Sequence, residues 1–454
     1  MVRLAENKIY TENHGIEKMP LPKQVCIPLS QHIGRITSPL VKVGDEVSLG
    51  QKIADSDAAV SSPAHASISG KITAIKNWPH PVQGMCQAIV IDVLSPPTID
   101  PERSQRIDGD GKDKATGIIQ RQPEEIEELT AGQLRQIVRE AGVVGMGGAG
   151  FPTHIKLTPP KPVDTFILNG AECEPFLTGD YRLMIEKTEE ILKGVDLVTR
   201  CLGIKNIYIA IEDNKPEAIA AFKSILDSRS SILERASSIE HRASIKLVIL
   251  KSHYPQGGEK QLIKNVLKKE VPSGKLPFDV GVLVNNVGTI FAIYEAVYKS
   301  KPLYERVITV TGDCLENPKN LLVRIGTPVK ELIEFCQPFK KEPVKIVFGG
   351  PMMGIAQYNQ AVPIIKTSTA VLLLSSQQVQ VYKEDACIRC GECVRNCPVS
   401  LMPCMLSLAV ERNNWELAKS YSPLDCIECG LCAYLCPAKR NLVQSIKYAK
   451  QEAV

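Results

Sequence analysis

CIRCGECVRNCP at 387–398 and CIECGLCAYLCP at 426–437 are two copies of one pattern, C-x2-C-x2-C-x3-C-P. Three thiolates at that spacing wrap one face of an iron–sulfur cubane, and the fourth reaches across to the other cluster. The pattern therefore assigns Cys387, Cys390, Cys393 and Cys436 to one [4Fe–4S] cluster and Cys426, Cys429, Cys432 and Cys397 to a second, in a C-terminal two-cluster ferredoxin-like helical module. Pro398 and Pro437 lack an N–H and turn the chain after the last ligand. Gly391 and Gly430 let backbone amides approach sulfur, where they tune the potential. Zinc knuckles are the competing reading, but they use paired C-x2-C units without the third cysteine and the C-P ending. Cys404 lies outside the spacing and reads as a free, partly buried thiol.

Working outward, nine of the fifteen cysteines crowd into Cys387–Cys436 and six are scattered singly, which reads as metal binding in a reducing compartment and not as a disulfide framework. The 454 residues call for several domains. The 44% hydrophobic and 23% charged composition is that of a globular protein, and a formal charge of only +4 without a dense Lys/Arg run argues against nucleic acid. Apolar runs such as Ala370–Leu374 fall far short of the roughly 18 residues that span a bilayer, and the opening MVRLAENKIYTENHGIEK has no apolar signal core. Membrane association is thus expected only through partners. The short, charged stretch Lys439–Lys450 is the best candidate for a direct lipid contact.

Residues 20–95, rich in Val, Ile, Gly and Pro with an alternating run Ser67–Ile75, read as a small all-β unit. Residues 96–125 read as a linker. Over 126–300, helical stretches (Leu134–Ala141, Arg182–Cys201) alternate with β-like runs at Thr165–Leu168, Ile207–Ile211, Ile245–Leu250 and Gly281–Val284, an α/β pattern. Within 301–350, a strand at Arg306–Thr311, a Gly-Asp turn and a helix at Val329–Phe335 suit a β-grasp unit, and the cysteine module occupies 380–446. The fold class expected is multidomain α/β with small β units.

Residues 142–157 read GVVGMGGAGFPTHIKL. Gly145, Gly147 and Gly150 match a dinucleotide fingerprint, but the loop follows a helix where the Rossmann version follows a strand. With Gly148 it becomes a loop of exposed amides suited to a phosphate or a flat ring, with Lys156 to supply positive charge. A glycine hinge between helices is the bland alternative. Beyond it, the strand from Thr165 ends in Asn169, followed by Glu172 and Glu174, where α/β folds present ligand-binding groups. YPQGGE at 254–259, and Asn285, Asn286 and Thr289 after an apolar strand, read as further ligand loops, with turn-forming Asn and solvated acids as the plain alternatives.

GMGGAGFPTHIKL, NGAECEP, YPQGGEKQL and NNVGT, in that order, resemble the flavin- and NADH-binding subunit of respiratory complex I, although that subunit ends in a single-cluster cysteine set. The resemblance implies FMN near Gly145, Gly147, Gly148, Gly150, Lys156, Asn169, Asn285, Asn286 and Thr289, with Glu172, Glu174 and Glu259 beside the flavin or the nucleotide. Nearly the whole chain, from LPKQVCIPLSQHIG through IEDNKPEAI and GGPMMG to both cysteine motifs, is more similar to the RnfC/RsxC family, one component of the ion-translocating ferredoxin:NAD oxidoreductase (Rnf) complex. That family carries a soluble-ligand-binding β-grasp (SLBB) unit where RVITVTGDC and GTPVKEL stand here. Its usual GG-x-H-P-P opening is absent, and MVRLAENKIYTENHGIEK stands in its place. Residues 39–75 resemble a biotinyl/lipoyl-type barrel-sandwich half, yet no lysine occurs between Lys52 and Lys71, so the hairpin SDAAVSS is read as a structural relic without a prosthetic arm.

The resemblance implies hydride exchange between NAD(H) and FMN, single-electron passage through two [4Fe–4S] clusters, and coupling to ion translocation. It also implies integral-membrane and ferredoxin-like partner subunits, and a peripheral place on the cytoplasmic face of the bacterial cell membrane. Three alternatives differ from it, two by sequence features and one by flavin content. The quinone-reductase A subunit of the sodium pump should lack the cysteine block. A microcompartment corrin reductase places the glycine-loop domain before the barrel. A pure ferredoxin-like relay with a scaffold domain would carry no flavin.

Overall fold

The computed structural model describes residues 2–93, 120–234 and 244–452. The linker expected at 96–125 lies mostly outside them; its last residues belong to a helix, Pro123–Glu127, because proline suits a first turn and the Glu125 carboxylate reaches back to the Gln122 N–H.

The strand Thr165–Gly170 is buried at every position, as a central strand of a parallel sheet with both faces covered must be. It lies between Asn206–Glu212, which continues to Ser244–Leu250, and Val282–Asn286 on its other side. The chain thus leaves Thr165–Gly170 toward one edge and returns on the opposite side. This creates a switch point, and the register sets Asn169 beside Asn286 at the carboxyl ends there. The helix Val287–Tyr298 packs so closely that a Cβ at Gly194 would lie 2.5 Å from the Ile290 carbonyl oxygen. The helix expected over Arg182–Cys201 is two, Gly179–Glu186 and Thr188–Leu202, broken at Lys187, where the Thr188 hydroxyl donates to the Met184 carbonyl. The apolar periodicity runs through this one-residue break and hides it.

The N-terminal unit is a sandwich of two small sheets. Gly70–His80 and Gly84–Asp92 form its long hairpin, and Gln24–Pro28 and Glu46–Val47 flank them; Ser38–Pro39, Lys52–Asp55 and Ala64–His65 make the second sheet. The strand expected to start at Ser67 starts at Gly70, which pairs with Val47 and where a Cβ would meet the Asp92 carbonyl at 2.2 Å; pairing with Asp92 begins at Lys71. The lysine-free hairpin is pinned against the α/β domain: Lys366 Nζ donates to Pro63 and Gly142 carbonyls at 2.7 and 2.6 Å, and Arg139 bonds Asp55 and the Ser56 carbonyl.

A six-stranded mixed sheet runs Ile16–Lys18, Lys319–Arg324, Glu305–Thr311, Ala370–Leu374, Lys345–Phe348, Ile355–Gln357, with the helix Val329–Phe335 on its core. It draws strands from outside 301–350. Gly312 turns the chain at φ 125°, where a Cβ would overlap the Leu373 backbone. Lys319–Arg324 does not read as a strand because it opens on Lys-Asn, yet Asn320 is fully buried. Its amide donates to the Thr11 and His14 carbonyls and accepts from the Thr178 and Thr309 hydroxyls, tying the N-terminus to this sheet.

Candidate flavin and iron–sulfur sites

The two cysteine motifs fold alike. In each, an arginine or glutamate (Arg389, Glu428) and then a glycine (Gly391, Gly430) take left-handed backbone, φ 58° and 57°, then 78° and 79°. Each glycine precedes a single helical turn, Glu392–Arg395 or Leu431–Tyr434. Alternating backbone of this kind turns successive N–H groups to one side. Cys397, Cys426, Cys429 and Cys432 line one pocket, walled on its apolar side by Leu401 and Ile446. Four thiols around one apolar space suit a four-iron cluster, including the cross-over of Cys397 from the other motif. The remaining set is more open: Cys393 and Cys436 are buried together, Cys387 is half-buried and Cys390 exposed. Among the described residues, no three His, Cys, Asp or Glu side chains converge to hold a single metal ion.

The glycine loop follows the helix Ala131–Glu140, and its residues 147–149 are exposed. Thr289 Oγ1 accepts from the Met146 N–H at 2.9 Å, and a Cβ at Gly147 would meet Asn286 at 2.9 Å, so loop and strand end are one surface. Asn286 donates to Asp180 at 2.6 Å and accepts from the Gly288 N–H. Asn169 donates to the Gly257 carbonyl at 2.8 Å, bringing 254–259 to the same place. Asn285 Oδ1 is buried with no partner among the described residues. A Cβ at Gly148 would meet nothing within 4 Å, and that open space beside exposed amides fits a flat ring with a phosphate. Gly145 packs in ordinary contact with Phe151.

Lys156 is paired with the Glu259 carboxylate and donates to the Val284 carbonyl at 2.9 Å, so its charge is already partly matched. Glu172 accepts from the Asp180 and Tyr181 N–H groups at the start of Gly179–Glu186. Burial pushes its pKa up, against the opposing charge of Lys8. Glu174 accepts from the Met353 N–H at 2.7 Å, and burial pushes it up to about 7. Three groups beneath the site carry no sequence signal. Lys8 donates to the Glu172, Glu174 and Leu177 carbonyls. Asp180 reads only as a helix-start acid. Lys215 and Glu212 form a buried ion pair at 2.7 Å. Burial works against the Lys215 ammonium, but Glu212 and Glu172 outweigh it and raise its pKa.

The α/β domain meets the second cysteine motif directly. Tyr254, 2% exposed, donates its hydroxyl to the Cys429 carbonyl at 2.7 Å, and Asp425 takes bonds from Ser273 and the Gly274 N–H. Fold and site together define an iron–sulfur flavoprotein, with a flavin-type α/β domain set against a two-cluster module. Four family descriptions match in chain order: the RnfC barrel sandwich hybrid domain over 2–94, the Nuo51 FMN-binding domain over 138–295, the SLBB domain over 307–356 and a 4Fe-4S dicluster domain over 386–440. The chain is 48% identical over 451 residues to the C subunit of the proton-translocating ferredoxin:NAD(+) oxidoreductase complex of Clostridium ljungdahlii, covering 98% of this chain and 92% of that one. It is 41% identical to the Na(+)-translocating counterpart of Acetobacterium woodii (95% and 91% covered) and 40% identical to the C subunit of the ion-translocating oxidoreductase complex of Rhodobacter capsulatus (98% and 80%). A crystal structure of NAD+-reducing [NiFe]-hydrogenase in the H2-reduced state shares the fold, with TM-score 0.50 and 18% identity, over 72% of this chain and 63% of that one. This chain belongs to the RnfC family, the C subunits of ion-translocating ferredoxin:NAD oxidoreductase complexes.

Proposed function

We propose that this chain is the NAD(H)-linked electron-transfer subunit of a membrane-bound, ion-translocating oxidoreductase complex. It works as a peripheral subunit on the cytoplasmic face, held there by integral-membrane and ferredoxin-like partners. The observation that carries the reading is the direct seating of the cavity lined by Cys397, Cys426, Cys429 and Cys432 against the domain whose glycine loop lies at the sheet's switch point. Bound FMN and two [4Fe–4S] clusters supply the conversion between two-electron hydride chemistry and single-electron transfer. The protein's part is to bind and orient. The amides of Gly147, Gly148 and Ala149 face a phosphate, Asn285 Oδ1 and Asn169 meet polar ring edges, and Gly148 leaves room for a ring against the backbone. Glu172, Glu174 and Glu259 lie beside the flavin or the nucleotide, Glu259 holding Lys156 in place. Cys387, Cys390, Cys393 and Cys436 hold the outer cluster, whose exposed edge at Cys390 suits exchange with a partner. No acid–base group is required of the chain. Anaerobic reconstitution with iron, sulfide and FMN tests the reading: about eight irons and one flavin per chain, with the flavin bleached by NADH, are expected. Zinc in place of iron, or no flavin retained, would refute it.

A further inference from the structure

The internal repeat allows a comparison within one molecule. In both copies the second cysteine and the following glycine share a peptide, Cys390–Gly391 and Cys429–Gly430, set by the same left-handed pair of residues. In both copies the carbonyl of that peptide is held by a donor, but the donors come from different places. Cys390 O takes a bond of 2.9 Å from Arg395 Nη2, five residues along its own motif and at an exposed surface. The equivalent of Arg395 in the second copy is Tyr434, which is 56% exposed. There the bond to Cys429 O comes instead from Tyr254, a fully buried phenol on the 254–259 segment of the α/β domain.

That segment also carries Gly257, whose carbonyl is bound by Asn169 at the carboxyl end of the central strand. Tyr254 therefore joins the strand end that faces the flavin space to the backbone of a cluster ligand. A trans peptide points its N–H opposite to its C=O, so anchoring the Cys429 carbonyl fixes the direction of the Gly430 N–H. Gly430 lines the pocket of that cysteine set. Its own position is fixed from outside as well, since a Cβ there would lie 2.6 Å from the Met352 carbonyl. Amide hydrogen bonds to cluster sulfur stabilise the more negative, reduced state and raise its potential.

We propose that Tyr254 is a positioning residue that sets the reduction potential of the cluster held by Cys397, Cys426, Cys429 and Cys432, acting from the flavin-binding domain through the Cys429–Gly430 peptide. Arg395 is its counterpart for the other cluster. This rests on the cluster reading given above. The test is an EPR-monitored redox titration of the reconstituted full-length chain as wild type, Tyr254→Phe and Arg395→Met. Tyr254→Phe keeps the buried ring and should move one of the two midpoint potentials to a more negative value, leaving the other in place. Arg395→Met should move the other one. Both potentials unchanged in Tyr254→Phe, or the same couple moved in both variants, would overturn the proposal. Iron missing from the wild type would refute the cluster reading itself and is distinguished by metal analysis. A second measurement leaves Tyr254 intact: in Cys390→Ala protein labelled with 15N-glycine, pulsed EPR of the one remaining reduced cluster should show a coupled glycine nitrogen. Its absence would equally overturn the role assigned to the Gly430 amide.

Discussion

Three glycines of one loop do three different jobs. At Gly150 the backbone is left-handed, φ 73°, and a Cβ would press on Thr367 at 2.6 Å; at Gly147 it would meet Asn286. Gly148 is not left-handed and faces open space, so valine there costs the empty protein within about 0.5 kcal/mol, the usual range of a surface change. The Gly148→Val variant should therefore fold and take up its iron but retain no flavin, read from the flavin absorbance per chain; normal flavin content would remove this loop from the site. Glu174 gives a pH dependence. Its carboxyl is pushed by burial from the ordinary 4.5 to about 7, and Oε2 has no partner among the described residues. Between those values the unfolded chain has released the proton and the folded chain keeps it, so stability falls as pH rises through that window, by at most about 1.4 kcal/mol per pH unit. Glu174→Gln, which can still accept from Met353, should flatten that slope when denaturant midpoints at pH 5 and pH 8 are compared; an unchanged slope would place the titration elsewhere. The crowding of glycines and amides is legible in the sequence because phosphate and ring sites need bare backbone. The buried charges beneath it are not: Lys8 looks like any surface lysine until long-range packing brings it to Glu172, and the local pair Glu212–Lys215 looks like an ordinary surface pair until the fold buries it.

At the scale of elements, the short cysteine motifs are the most legible feature of the chain, because a cubane dictates ligand spacing within a few residues. Longer-range pairing leaves no such mark. Strand Lys319–Arg324 hides behind Asn320, whose burial makes sense only once Thr11, His14, Thr178 and Thr309 surround it. The two helices Gly179–Glu186 and Thr188–Leu202 share one apolar face across the break at Lys187. The motif's cross-over makes a prediction that a simple one-motif, one-cluster scheme does not. Cys390→Ala should lower iron from about eight to about four per chain and remove one EPR signal. Cys397→Ala, although it sits in the same motif, should remove the other signal, because Cys397 lines the cavity of Cys426, Cys429 and Cys432. Loss of the same signal in both variants would show that each motif binds its own cluster.

For the whole molecule the question is how it reaches a membrane. Among the described residues no helix is long and apolar enough to cross one. The candidate for direct lipid contact, Lys439–Lys450, lies mostly in the helix Leu442–Glu452, and its apolar face is already used: Leu442, Ile446 and Ala449 are buried within the iron–sulfur module. Its charges are engaged too, with Lys447 and Lys450 paired to Glu428 at 3.3 and 2.6 Å and Lys450 bonded to the Cys426 carbonyl. To insert in a lipid interface this helix would have to leave the module, exposing the walls of a cluster cavity that Ile446 closes. Partner subunits are the alternative, and the exposed edge around Ile388, Cys390 and Tyr382 offers them a surface next to the outer cluster. The isolated chain should therefore remain in the supernatant after a high-speed spin with anionic liposomes. Co-expressed with its integral-membrane partners it should pellet with the membrane and be released by salt or chaotrope. Stable binding of the isolated chain to liposomes, lost when Lys447 and Lys450 are replaced by Gln, would make Leu442–Glu452 an anchor and require the module to open.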